Sequence, residues 1–207
     1  MTLIVHHHIF KNAGTTIDWI LERNFPGQVL HVEGSDPGAR LRPHQVRATA
    51  DRYPDHRAIS SHSFPLPAPR EVWARVHLSV LRDPIERYAS IYRFERDREI
   101  DHPANQAARA NGFAAFCQWW LENPSDIWIN WQTRCCTPQF ETRWANTGLL
   151  KKACELLTGR ARAPDPSQKA TSGLPSWDLD LKQALKATLK TGFVFTLDRF
   201  DEGLILL

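Results

Sequence analysis

The sequence predicts an α/β domain with a mostly parallel central sheet and helices on both faces, in three layers. Short runs rich in Val, Ile, Leu and Phe alternate with segments of helical periodicity, the pattern of parallel strands joined by crossover helices. The two clearest strands, 3–9 and 76–81, are each followed at once by a helix-start signal. A chain of 207 residues without internal repeats suits one domain, taken as 1–207.

The elements follow in order. LIVHHHI (3–9) reads as a buried strand, and because the HHH of 6–8 lies inside this apolar run it is not an expression tag. Residues 14–24 form a helix with Ile17, Ile20 and Leu21 at helical spacing. QVLHVE (28–33) is a short strand, GSDPGARLRP (34–43) a polar loop, and HQVRATADRY (44–53) a short helix stopped by Pro54. RAISSHSF (57–64) is a strand that runs into a proline-rich turn, and VHLSVL (76–81) is the central strand. The next helix has Asp83 as N-cap, Pro84 at its first position, and Ile85, Tyr88, Ala89 and Tyr92 as its apolar stripe. FAAFCQWWLEN (113–123), NTGLLKKACELLTG (146–159) and LDLKQALKATLK (179–190) are further helices. Residues 160–176, rich in Pro, Ser and Gly, are expected to form a mobile loop, whose Arg160, Arg162 and Lys169 read as solvated charges. GFVFTL (192–197) is the last strand, and the apolar LILL at the end starts a helix expected to dock on the core or on a second subunit.

Composition narrows the function class. The chain is 42% hydrophobic and 24% charged, with nine histidines and a net charge of +3. That balance suits an anionic ligand but falls short of the basic stripe of a nucleic-acid binder. Four cysteines (Cys117, Cys135, Cys136, Cys154) show no C-x-x-C spacing, and the adjacent pair is awkward for a disulfide. Reduced thiols and a cytoplasmic setting are expected. No signal peptide opens the chain, and no apolar run approaches the roughly 20 residues of a membrane span.

In such sheets ligands bind at the carboxyl ends of strands, and two strand ends carry chemistry. Lys11, Asn12, Ala13, Gly14, Thr15 and Thr16 link the first strand to its helix. Helix N-termini offer free amides and a partial positive charge. Gly14 permits close backbone approach, Thr15 and Thr16 add hydroxyls, and Lys11 adds a point charge. The loop is P-loop-like, but its lysine precedes the glycine, the reverse of a nucleotide-binding loop. At the second strand end Arg82 can fork onto a phosphate, with Ser90 two turns into the helix as a second donor.

Together these segments resemble the sulfotransferases that use 3′-phosphoadenosine 5′-phosphosulfate (PAPS), in the carbohydrate branch that includes the heparan sulfate 2-O-sulfotransferases. His8-Ile9-Phe10-Lys11-Asn12-Ala13-Gly14-Thr15-Thr16 is similar to that branch's first loop, with Phe10 in place of a frequent proline. Arg82, Asp83, Pro84, Arg87, Ser90, Tyr92 and Phe94 match its R-D-P-x-x-R-x-x-S-x-Y-x-F element in full. NWQTR (130–134) and LDRFDEGLILL (197–207) are weaker echoes. The resemblance implies that the first loop holds the 5′-phosphosulfate and that Arg82 and Ser90 hold the 3′-phosphate. It implies transfer of the sulfuryl group to a hydroxyl, with a carbohydrate as the expected acceptor. The product is 3′-phosphoadenosine 5′-phosphate (PAP), and no metal is required.

The chemistry needs a cation on the departing oxygen and a base for the hydroxyl proton. Lys11 is expected to be the cation, stabilising charge that develops in the transition state. His62, at a strand end between the two phosphate elements, is expected to be the base, with Ser61 where the family has glycine. Asn130, Gln132 and Arg134 read either as contacts to acceptor or adenine or as a polar strand edge. His6 and His8 share one strand face, but no carboxylate or cysteine stands at ligand spacing from them, so no metal is expected there. Trp119 and Trp120 cannot share one helix face, so at least one belongs to core or interface. The alternatives are a magnesium-dependent nucleotide kinase or NTPase, and a domain that binds PAP or an anionic glycan without turnover.

Overall fold

A computed structural model describes residues 2–35, 40, 41, 43–64, 66, 75–123, 131–137 and 177–206. Five strands, β1 (Leu3–His7), β2 (Val29–His31), β3 (Ala58–Ser61), β4 (Arg75–Leu81) and β5 (Gly192–Thr196), form one sheet in the order β2-β3-β1-β4-β5. All four pairings are parallel. The α/β expectation holds. The helices are α1 (Gly14–Asn24), α2 (Pro43–Arg52), α3 (Pro84–Asp97), α4 (Pro103–Ala110), α5 (Phe113–Glu122), α6 (Trp131–Cys135), α7 (Trp177–Thr191) and α8 (Phe200–Leu206). The segments 146–159 and 160–176 lie outside the described residues. No helix among the described residues is long and apolar enough to cross a membrane.

Alternation along β1 sends its side chains to two faces. On one, Ile4, Ala58, Leu78 and Val80 pack with Ile17 and Leu21 of α1 and with Phe200 and Leu204 of α8. The apolar terminal helix therefore docks on the core, although Ile205 is exposed. On the other face, Val5 and Ile59 pack with Val46, Ala50 and Phe64. Farther along that face, Leu81 meets Ile9, Leu66, Trp131, Cys135, Cys136 and Ala184. Cys117, Cys135 and Cys136 are free thiols.

A third cluster lies among helices. Ile91, Ala104, Ala107 and Ala108 of α4, Phe116 and Trp120 form it, with Phe10, Tyr92 and Trp119 packed on its edge. Helix α4, which is not among the expected elements, starts on His102, whose Nδ1 accepts from the Ala104 amide, followed by Pro103. Asn105 of α4 donates to the buried Glu95 carboxylate at 2.7 Å and so fastens α4 to α3. The start of α3 is as expected: Asp83 accepts from the Glu86 amide at 3.0 Å, and Pro84 follows. Its expected apolar stripe needs correction, because Ile85 is exposed and the buried residues are Arg87, Ile91 and Glu95. The helix rests on the loop after β1 as well as on apolar neighbours, so a charged residue lies on its inner face.

Of the three buried histidines in the sheet, His7 and His77 bond to each other. His7 Nδ1 lies 3.2 Å from the Phe64 carbonyl, which can only accept, so that nitrogen carries the proton. His7 Nε2 then accepts from His77 Nδ1 at 2.9 Å. Both rings are neutral in this arrangement. Burial, followed by each ring's titratable neighbours, lowers both pKa values: His7 well below its ordinary value and His77 to about 4. The unfolded chain therefore takes up these protons first. Stability is complete above pH 6.5 and falls as the pH drops toward 4. Urea unfolding across that window should lose on the order of 3 kcal/mol through His77. His77→Gln should have a shallower decline. A wild-type profile that stays flat, or a variant profile parallel to it, would contradict this assignment.

Candidate functional site

Parallel strands end at one edge of the sheet, and there β1 and β4 are neighbours whose connections diverge. The chain leaving β1 reaches β2 beyond β3, whereas β5 lies on the other side of β4. Such a divergence opens a crevice at the carboxyl ends of the strands. The loop 8–13 and Arg82 both stand at it.

The loop has an unusual backbone. Lys11 (φ 64°) and Ala13 (φ 61°) are left-handed, a conformation that costs non-glycine residues roughly 1–3 kcal/mol each. Turns of this kind can gather amides around an anion. Helix α1 begins at Gly14 with no side-chain cap and no acidic residue in its first turn, so its first amides are not met by a capping side chain. Thr15 and Thr16 are exposed there. Glycine at 14 also serves a purpose within the fold. A Cβ on it would stand 2.0 Å from His8 Cδ2, so the missing side chain makes room for the His8 ring.

Other elements hold this loop in place. The buried Asn12 donates to the Val80 carbonyl at 2.8 Å and to Gln132 Oε1 at 2.6 Å. Gln132 Oε1 also accepts from the Arg82 amide at 2.8 Å, and Gln132 Nε2 donates to the Arg82 carbonyl at 2.9 Å. One side chain thus joins both strand ends. Residues 131–135 are helical, which corrects the strand-edge alternative for Gln132 and Arg134: Gln132 spends its amide on the loops, and Arg134 is buried. Asn130 lies outside the described residues. From α3, Arg87 Nε donates to the Phe10 carbonyl at 3.0 Å. The Phe10 ring meets Phe94 edge-on at 5.3 Å, so it joins the helical cluster where the resembling family has proline.

Positive charge gathers at the crevice. Lys11 Nζ lies 4.5 Å from the centre of the Phe94 ring. Its pKa is lowered by burial first, then by Arg82 and Arg93, with Glu95 opposing. Arg82 reaches the Lys11 carbonyl through Nη1 at 3.4 Å, and its Nε faces Glu86 at 3.5 Å. Arg87, 2% exposed, has burial lowering its pKa, and its Nη2 finds no acceptor among the described residues. Ser90 lies on the α3 face shared by Arg87 and Phe94, three residues after one and four before the other. Both of those touch the loop.

His62 follows β3, the neighbour of β1, and stays 45% exposed at its side chain. Its ring stacks on His8 at 3.8 Å. Glu33 Oε1 accepts from His62 Nδ1 at 2.9 Å and from its amide at 3.2 Å. A carboxylate can only accept, so the Nδ1 proton points at Glu33, and Nε2 stands on the far side of the ring from that bond. Sequence reasoning misses Glu33. Only the adjacency of β2 and β3 brings it to His62, and no local signal announces that.

Behind His8 lies a network that the sequence also hides. His6 Nδ1 meets Asp18 Oδ1 at 2.8 Å and Ser60 Oγ at 2.9 Å, and His8 Nδ1 meets Asp18 Oδ2 at 2.9 Å. Ser60 donates to Asp18 Oδ1 at 2.6 Å. A carboxylate therefore does join the two histidines, supplied by α1 where it folds back over β1.

Gln132→Leu keeps the volume and removes three hydrogen bonds, leaving the Arg82 amide and carbonyl without them. It should lower the unfolding free energy by about 2 kcal/mol. Gln132→Glu, which keeps both accepted bonds, should lose less. Urea unfolding of the two variants at a mildly alkaline pH checks this, and a Leu variant as stable as wild type would overturn the bridging role.

No protein-family model matches the chain. An uncharacterised protein of Archaeoglobus fulgidus is 30% identical over 126 residues, covering 56% of this chain and 48% of that protein. The chain thus spans about half the length of the curated relative it matches.

Proposed function

We propose that the crevice between β1 and β4 binds PAPS and that the protein transfers its sulfuryl group to a hydroxyl, in a carbohydrate acceptor. The observation that carries this reading is the convergence of Lys11, Arg82 and the uncapped start of α1 on one crevice, with the His62–Glu33 pair stacked on His8 of the same loop. Cations and helix amides fit an anionic donor. A histidine with an available Nε2 is what a hydroxyl acceptor needs.

In this reading the amides of the loop and the hydroxyls of Thr15 and Thr16 hold the phosphosulfate, while Arg82 and Ser90 hold the 3′-phosphate. The acceptor oxygen attacks sulfur, and its proton passes to His62 Nε2. The bond from sulfur to the bridging oxygen breaks, and its electron pair leaves on the 5′-phosphate of PAP. Lys11 faces that oxygen and stabilises the charge that develops on it. Glu33 holds the His62 tautomer and favours the imidazolium that forms, as an orienting carboxylate does in other histidine bases.

Calorimetric titration with PAP tests the donor site. Wild type should bind PAP, and Lys11→Ala and Arg82→Ala should each weaken it by about tenfold or more. ATP–magnesium and adenosine 5′-phosphate should bind far less well. A folded wild type that ignores PAP, or that prefers ATP–magnesium, would sink the reading. His62→Asn should leave PAP affinity unchanged and slow sulfuryl transfer from labelled PAPS to carbohydrate acceptors by about 10²–10⁴. Equal rates would remove His62 from the role of base.

A further inference from the structure

We propose that His6, His8 and Asp18 form a binding site for one borderline divalent transition cation of the zinc class. The proposal stands apart from the PAPS reading, since none of these side chains is assigned to the donor or to proton transfer.

The ligand atoms converge from two rigid elements. His6 and His8, two residues apart, leave β1 on the same face, and Asp18 comes one turn into α1. One ring nitrogen of His6, one of His8 and a carboxylate oxygen of Asp18 all lie within 4.8 Å of one another. His6 Nδ1 stands 2.8 Å from Asp18 Oδ1 and His8 Nδ1 stands 2.9 Å from Asp18 Oδ2, so both rings already meet one carboxylate, each at its own oxygen. Of the two rings His8 is the more exposed, at 11% against 1%, and so the freer to turn toward a shared ion.

As the network stands, both Nδ1 atoms donate to the Asp18 carboxylate, so a cation entering between them takes the place of those two protons, and each ring passes to its other tautomer. A neutral ring binds through Nδ1 by keeping its one proton on Nε2. Two imidazoles and one carboxylate favour zinc, cobalt or iron over magnesium or calcium, which prefer oxygen. Three protein ligands leave at least one position for water or another ligand. Asp18 offsets one of the two charges, so an occupied site adds net positive charge behind Gly14, against which His8 packs.

Cobalt(II) provides a readout separate from activity. The intact chain at a mildly alkaline pH should develop visible absorption bands that saturate at one equivalent, vanish on adding zinc, and ignore magnesium. His8→Gln and Asp18→Asn should abolish the bands, whereas His31→Gln and His62→Gln should keep them. Absence of bands at one equivalent overturns the proposal. So do bands that survive in His8→Gln, since the metal would then sit on other histidines among the nine. If circular dichroism shows that Asp18→Asn does not fold, His8→Gln decides alone.

Discussion

The backbone between Phe10 and Ala13 is the constraint on which the site depends. Two non-glycine residues there adopt left-handed torsions, a shape that persists only when its surroundings over-determine it. Those surroundings come from far along the chain. Arg87 of α3 holds the Phe10 carbonyl, and Gln132 of α6 holds Asn12 and, through Arg82, the end of β4. The helical cluster of α3, α4 and α5 takes the Phe10 ring. A region that looks peripheral to the sheet thus sets the angle at which the chain passes from β1 into α1.

The same region concentrates charge at a cost to stability. Arg87 is almost wholly buried, with no carboxylate paired to it among the described residues, and Lys11 is partly desolvated beside Arg82 and Arg93. Charges placed this way oppose folding unless something compensates. Proteins often accept such costs at functional sites. The apolar packing on both sheet faces, and the bond from Asn105 to Glu95, supply stability elsewhere. His62 differs from these groups. It remains at the surface, with one carboxylate fixing its ring and an imidazole stacked beneath it.

How much of this is legible in the sequence follows the range of the interactions. The strands, α1, and the start of α3 at Asp83 and Pro84 announce themselves through local patterns, and the fold class follows from their alternation. The Ile85 stripe fails because helical periodicity alone cannot tell which side of α3 meets the protein. That side is set by the loop contact of Arg87. Helix α4 does carry a local pattern, Pro103 at its start and Ala104, Ala107 and Ala108 at helical spacing, but alanine is a weak hydrophobic signal and the pattern is easily passed over. Glu33, Asp18 and Gln132 act across the fold, the last from a position 120 residues beyond its partner Asn12. Their partners are fixed by strand order and by helices folding back, which a one-dimensional pattern does not contain. Gly14 stands out in the sequence, but glycine can admit a side chain as readily as a ligand, and only the position of the His8 ring tells which.

The position of β1 has a kinetic consequence. It leaves the ribosome before the other four strands, yet it lies in the middle of the sheet. Its neighbours must come from later in the chain: Ile4 pairs with Ala58, and Leu3 with Arg75. Both pairings close long loops before any hydrogen bond repays the entropy, so the sheet is built from contacts that form slowly. During synthesis this strand, with its histidines, has to wait without a partner on either side. The left-handed turn that follows waits longer, since Arg87 and Gln132 emerge later still.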